Sequence, residues 1–224
     1  MDETLHNRPL AIDLYCGLGG WTEGLLAEGY EVVGFDIERH DYGTGGYPSQ
    51  LVLQDALTLH GSQFKDAALI VASPPCQEFS YMAMPWSKAK AKERDLLEGR
   101  DDPKRLTALF DACFRIQREA IEAAGHFIPL VVENVRGAQK WVGRSRWNHG
   151  AYHLWGDIPA LMPCKANDFS GIKQGGDWFN ASQPYIARRC GSKSPARKAA
   201  SAAIAKIPLP LARHIARYWA PQNG

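Results

Sequence analysis

The sequence predicts an α/β fold, with a mainly parallel sheet and flanking helices. Short apolar runs of strand length recur between residues 10 and 135, and segments of helical spacing separate them. A glycine-rich turn, CGLGG at 16–20, joins the first such run to the first helical segment.

LAIDLY (10–15) is apolar and short enough for a strand. In the following WTEGLLAEGY, Trp21, Leu25 and Leu26 recur at helical spacing. EVVGFD (31–36) is apolar and β-branched, and completes a βαβ opening. LVLQD (51–55) and ALIVA (68–72) read as third and fourth strands. Residues 82–102 are polar and charged, which predicts a surface loop or an exposed helix. Leu106, Leu109, Phe110, Cys113, Phe114, Ile116 and Ile121 then keep a helical period that ends near Gly125, with Cys113 expected in the core. PLVVENV (129–135) is a near-continuous apolar strand carrying Glu133 and Asn134 at its far end. After Gly137 the pattern weakens. AYHLWG (151–156) reads as one more strand, and 157–195 is rich in Gly, Asn, Ser and Pro. Residues 197–219 read as two short helices separated by Pro208 and Pro210. The expected organisation is a core over 1–149, a reduced irregular region over 150–194, and helices over 195–224 that pack back on the core.

At 224 residues the chain is the size of one ordinary domain, and its 45% hydrophobic and 22% charged fractions are those of a globular protein. No apolar run approaches the roughly 20 residues of a membrane span, and MDETLHNRPL lacks the cations of a signal peptide. A cytoplasmic protein without membrane contact is expected. Five cysteines at irregular spacing argue against a disulfide framework, and none stands in a CxxC or CxxH pair, so no metal is expected. A monomer is expected. Residues 178–224 hold eight Lys and Arg and no Asp or Glu, leaving 18 basic against 24 acidic side chains, a balance of −6, in the rest. A basic C-terminal quarter on an acidic body points to a phosphate-rich partner.

Three features carry chemistry. SPPCQEFS (73–80) follows a strand, and its two prolines stiffen the exit so that Cys76 is presented at the sheet edge. The carboxyl edge of a parallel sheet is where open α/β folds bind ligands. Gly17, Gly19 and Gly20 allow a tight turn and close backbone approach to a ligand, without the full GxGxxG pattern of a dinucleotide site. Asp36 at the end of the second strand suits a ribose hydroxyl pair, and Asp55 after the third suits an adenine amino group. No P-loop lysine follows the glycines, so the expected cofactor bears a nucleoside without a polyphosphate. S-adenosylmethionine meets that description. Asp36 and Asp55 also have a plain alternative as strand-end turn formers.

DLYCGLGG (13–20), PPCQ (74–77) and ENV (133–135) stand in one order and together resemble the first, fourth and sixth motifs of the C5-cytosine DNA methyltransferase family. RLTALFDACFRI (105–116) is similar to the helix between the latter two. The resemblance implies a Rossmann-like, S-adenosylmethionine-dependent methyltransferase fold. It implies Cys76 as nucleophile, Glu133 as the carboxyl that holds the base, and Tyr15, Gly17, Gly19, Gly20, Asp36, Ile37, Asp55 and Pro75 around the cofactor. Gln77, Ser80, Asn134, Arg144, Arg188 and Arg189 would face DNA or shape the catalytic loop. VGRSR (142–146) keeps the family's arginine spacing with Val142 in place of Gln, which makes Arg146 the counterpart of the base-contacting arginine. AKIPLPLARHIA (205–216) resembles the last motif without its Gly-Asn, and only about forty residues, 150–194, stand where the family has a recognition domain.

The implied chemistry needs these residue types. C5 of cytosine takes a methyl group only after a thiolate has added to C6 and a carboxyl has steadied N3. A base inside a duplex offers neither edge, so the target must be extruded or unpaired. Trp86, Trp147 and Trp178, in loop-like segments, are candidates to fill the vacated stack. The alternatives are the same chemistry on RNA or single-stranded DNA, and a non-catalytic nucleic-acid-binding protein on a methyltransferase scaffold.

Overall fold

A computed structural model describes residues 8–43, 45–76, 79, 90–91, 94–95, 98–100, 102–162 and 194–221. Its centre is a seven-stranded sheet of β1 (Leu10–Leu14), β2 (Glu31–Asp36), β3 (Gln50–Leu53), β4 (Ala67–Ala72), β5 (Leu130–Asn134), β6 (Trp147–His149) and β7 (Tyr152–Gly156). The order is β3-β2-β1-β4-β5-β7-β6. The first five strands are parallel, and β7 runs antiparallel to both β5 and β6. Parallel strands buried on both faces explain why β1, β4 and β5 read as continuous apolar runs.

Helices cover the two faces. α1 (Gly20–Ala27) lies on one and α2 (Pro103–Ala124) on the other. Asp102 starts α2 by accepting the amide of Lys104, Pro103 occupies its first turn, and Gly125, in the left-handed region at φ 73°, ends it. Its buried stripe of Leu106, Phe110, Cys113, Ile116 and Ala120 packs on Ile12, Leu14, Ile70 and Val132. After β5 comes a short helix, α3 (Gln139–Val142), and after β7 come α4 (Pro195–Ala205) and α5 (Leu209–Tyr218). Leu211, Ala212, Ile215 and Ala216 of α5 share a cluster with Trp21, Leu25, Leu69 and Val71. Gly24 permits this approach, because a Cβ there would meet the backbone of Ala212 and Arg213 at 2.7 Å.

Two expectations from the sequence need correction. Trp147 belongs to a strand and is half-buried, because residues 147–156 fold as a hairpin turning at Gly150 (φ 56°). Pro210 lies inside the first turn of α5, where its missing N–H costs nothing, so Pro208 alone separates the two helices. Three of the eight tail cations are engaged within the chain: Lys206 with Glu23 at 2.5 Å, and Arg213 and Arg217 with Glu28 at 2.6 and 2.9 Å. They fasten the apolar face of α5 to α1. The polar stretch 82–102 and the region 157–195 fall mostly outside the described residues, as do Trp86 and Trp178. Among the described residues no helix is long and apolar enough to cross a membrane.

Candidate active site

The turn between β1 and α1 is shaped by Tyr15 (φ 58°) and by Gly17 and Gly19 (φ 51° and 74°). Tyr15 is held from below, its hydroxyl donating to the Leu109 carbonyl of α2 at 2.8 Å. The glycines divide the work. A Cβ at Gly17 would meet nothing within 4 Å, whereas one at Gly19 would strike Pro48 at 2.6 Å and one at Gly20 the Ile207 amide at 2.5 Å. Gly19 and Gly20 therefore make room for this chain's own loop and tail, and Gly17 alone faces open space.

Two carboxylates border that space. Asp36 accepts the Gly17 amide on one oxygen at 2.9 Å, and the Ile37 and Glu38 amides on the other at 2.8 and 3.3 Å. Asp55 caps the turn that follows it by accepting the Leu57 amide at 2.9 Å. The turn-forming reading thus holds for both, and each keeps acceptor capacity that the backbone does not use. Ile37 is 73% exposed beside Asp36, an apolar surface against two acceptors. A purine nucleoside fits this set, with its flat ring on the apolar side chain and its hydroxyl and amino groups on the carboxylates. S-adenosylmethionine, whose carrier is adenosine, fits in the same way.

Beneath the turn lies a polar cluster that sequence reasoning missed. Asp13 is fully buried, accepts from the Thr22 hydroxyl at 2.6 Å, and leaves Oδ1 without a partner among the described residues. Thr22 is also 2.5 Å from the Tyr47 hydroxyl, and Tyr47 enters over Gly34, where any side chain would occupy its place. Burial pushes the Asp13 carboxyl up to about 7, with the Thr22 bond opposing and the Asp36 charge adding to the rise. Burial likewise pushes the Cys16 thiol and the Tyr47 phenol well above their ordinary ranges. An aspartate inside the apolar run LAIDLY was the available signal.

Cys76 stands four residues beyond β4, half-buried, between buried Pro74 and the described start of the next turn, with Pro75 exposed. Its approach is fixed at several points. The Ser73 amide donates to the Leu14 carbonyl at 3.1 Å, and the Trp21 indole N–H donates to the Ser73 hydroxyl at 3.0 Å. The Asn134 side chain donates to the Pro74 carbonyl at 3.0 Å, while its own oxygen accepts the Val135 amide at 2.8 Å. Beyond Cys76, the Phe79 amide returns to the Cys76 carbonyl at 3.0 Å, and the backbone of Phe79 rests where Gly137 has no Cβ.

Glu133 is 4% exposed, one residue before Asn134 on β5. The register Ala72↔Val132 sets the ends of β4 and β5 side by side, about 4.8 Å apart as neighbouring strands lie. Cys76, Pro75, Asn134 and Glu133 therefore gather at one sheet edge, next to Tyr15, Gly17 and Asp36 at the end of β1 and β2. Across β7, Tyr152 lies near enough to Glu133 that burial and then the Glu133 charge push its phenol up. Arg144 and Arg146 are exposed on the loop between α3 and β6. Gln77, Ser80, Arg188 and Arg189 lie outside the described residues. Trp21, Ser73 and Gly137 as supports of the Cys76 loop had no sequence signal, since each acts through a tertiary contact.

Among solved structures the chain is similar to a proposed DNA modification methyltransferase encoded within an E. coli prophage, at 24% identity over 58% of this chain and 33% of that one, with a TM-score of 0.39. It is also similar to the S. pombe Dnmt2 methyltransferase (18% identity, 61% and 37% covered, TM-score 0.38). A third is the Entamoeba histolytica methyltransferase EhMeth (15% identity, 62% and 41% covered, TM-score 0.40). The chain thus spans a third to two fifths of the length of these proteins. No curated protein matches it. The family model for C-5 cytosine-specific DNA methylase matches residues 10–140, more than half of the chain and all of the edge just described, and the chain belongs to that family.

Proposed function

We propose that the protein transfers a methyl group from S-adenosylmethionine to C5 of cytosine in DNA, through a reversible bond between Cys76 and C6 of the base. The observation that carries this reading is the bond from Asn134 to the Pro74 carbonyl, which ties the Cys76 loop to the strand end bearing Glu133.

The cofactor supplies an electrophilic methyl group when bound. Asp36, Asp55, Ile37 and Gly17 would hold its adenosine part. The Cys76 thiolate adds to C6 and sends the ring electrons toward C5, and Glu133, at N3, steadies the charge that builds there. C5 takes the methyl group. Loss of the C5 proton to a base then restores the double bond and expels the thiolate. A buried carboxyl suits the work at N3, because a low-dielectric surrounding strengthens its hydrogen bond to the base. The target cytosine is extruded or unpaired, since a stacked base hides both C6 and N3. The protein acts without a metal, in the cytoplasm, as a monomer.

The test is covalent capture. With S-adenosylmethionine present, 5-fluorocytosine blocks loss of the C5 substituent and should trap the protein on duplex DNA. Cys76→Ser should abolish the trapped species while leaving cofactor affinity nearly unchanged. Parallel arms with single-stranded DNA and tRNA assign the substrate. A folded protein that is trapped on none of the three would refute the reading.

A further inference from the structure

The segment that carries Asp55 is held from behind by α2. Between β3 and β4 the chain makes two tight turns, Ala56–Thr58 and Gly61–Phe64. Asp55 starts the first, and buried Ala56, Leu59 and Phe64 anchor the segment to the core. Three of its carbonyls meet one side chain. Arg115 donates from one terminal nitrogen to the Leu59 carbonyl at 2.8 Å, and from the other to the carbonyls of Ala56 and Leu57, each at 3.4 Å. The first nitrogen also donates to both oxygens of Glu119, one turn on along α2, at 3.0 Å. Glu119 in turn accepts the Gly61 amide at 2.7 Å. The two backbones come into contact here, since a Cβ at Gly61 would run into the Ile116 carbonyl.

Arg115 and Glu119 thus fix both turns, across 56 to 59 residues of chain. An exposed ion pair four residues apart on a helix adds little to that helix. This one is half-buried and spends its remaining donors and acceptors on the neighbouring segment. Only a planar fork of donors serves three carbonyls and a carboxylate at once, which is why an arginine stands here. Burial pushes the Glu119 carboxyl up, but the Gly61 amide and Arg115 outweigh it and hold it below the usual carboxylate range. The pair also lies close to the cofactor turn. Burial pushes the Tyr15 phenol far up, and among the charges around it Asp55 adds to the rise while Arg115 opposes it.

We propose that Arg115 and Glu119 are positioning residues for cofactor recognition: by fixing the 55–61 segment they aim the Asp55 carboxylate at the amino group of the adenine ring. This rests on the reading of the cofactor given above. The pair acts through the turn, without contact with the ligand. It sets the preference for a purine with a donor opposite Asp55 over one with a carbonyl there.

The test is calorimetry with S-adenosylhomocysteine and with S-inosylhomocysteine, whose ring has a carbonyl in place of the amino group. The wild-type protein should bind the adenosyl compound about tenfold more tightly or better, the scale of one hydrogen bond made against one lost. Arg115→Gln should weaken the adenosyl compound by about tenfold and leave the inosyl compound nearly unchanged, so that the preference collapses. Glu119→Ala should do the same. Glu119→Gln, whose amide oxygen still accepts the Gly61 amide, should restore the preference. A packing role alone would weaken both compounds in proportion, or neither, and either result overturns the proposal. So does a preference kept in Arg115→Gln or in Glu119→Ala. If Arg115→Gln fails to fold, the two Glu119 variants decide the matter between them. Wild-type protein that binds both compounds equally removes the Asp55 contact, and the proposal with it, while leaving the cofactor reading in place. Wild-type protein that binds neither compound removes the cofactor reading as well.

Discussion

Asp13→Asn should remove a pH dependence of stability that the buried cluster imposes. Burial raises the Asp13 carboxyl from its ordinary 3.8 to about 7 in the folded protein. Between those two values the folded state keeps the proton and the unfolded state has released it, so stability falls as pH rises. Below about pH 4 the contribution is fully present, and above about pH 7 it has been lost. A rise of about three units at about 1.4 kcal/mol each amounts to ~4 kcal/mol in all, of which ~3 kcal/mol falls between pH 5 and pH 8. The groups that face Asp13 sharpen the assignment. The Cys16 thiol and the Tyr47 phenol are pushed far up and stay neutral over this range, and the Asp36 charge adds to the Asp13 rise. Asn is isosteric and can still accept from Thr22, so its offset is constant with pH. Urea unfolding of both proteins at pH 5, 6, 7 and 8 should show the stability difference shifting in favour of Asn by ~3 kcal/mol across the series. Parallel profiles would refute the assignment of a neutral Asp13 at low pH.

Two further outcomes are expected. Glu133→Gln should lower turnover by about 10²-fold or more in a labelled-methyl assay, the scale of a lost charge stabiliser, and near-normal turnover would remove Glu133 from the mechanism. Gly24→Ala should lower the melting temperature by roughly 2–12 °C, because a methyl group has no room between α1 and α5, overpacking costs about 1–3 kcal/mol, and each kcal/mol is worth about 2–4 °C in a chain of this length. A melting curve that coincides with wild type would show that the two helices are free to separate.

The sequence showed the elements whose residues declare themselves locally. β1, β2, β4 and β5 are buried on both faces and so stand out as apolar runs, and α2 carries its own start and stop in Asp102, Pro103 and Gly125. β6 escaped notice because three residues, Trp147 to His149, are too few to display alternation. Within the candidate site, Cys76, Glu133, Asp36 and Asp55 were legible through motifs and strand ends. Trp21, Tyr47 and Gly137 were not, since their roles depend on partners that the chain brings in from elsewhere. The ion pairs of the tail were hidden for the same reason: Glu28 lies 185 and 189 residues from Arg213 and Arg217, and no local pattern reveals that they meet.

The seat of α1 has a consequence for biogenesis. One side of that helix stays open until α5 has been made, because Gly24, Glu28 and Tyr30 find their partners at Ala212, Arg213, Arg217 and Ala216. Contacts of such long range close slowly, as the intervening chain must be brought round before any of them forms. On the ribosome, the amino-terminal βαβ unit emerges first yet cannot shield Trp21 and Leu25 until nearly two hundred further residues have been translated. The nascent protein should therefore depend on chaperones through most of its synthesis, and mature in one late step.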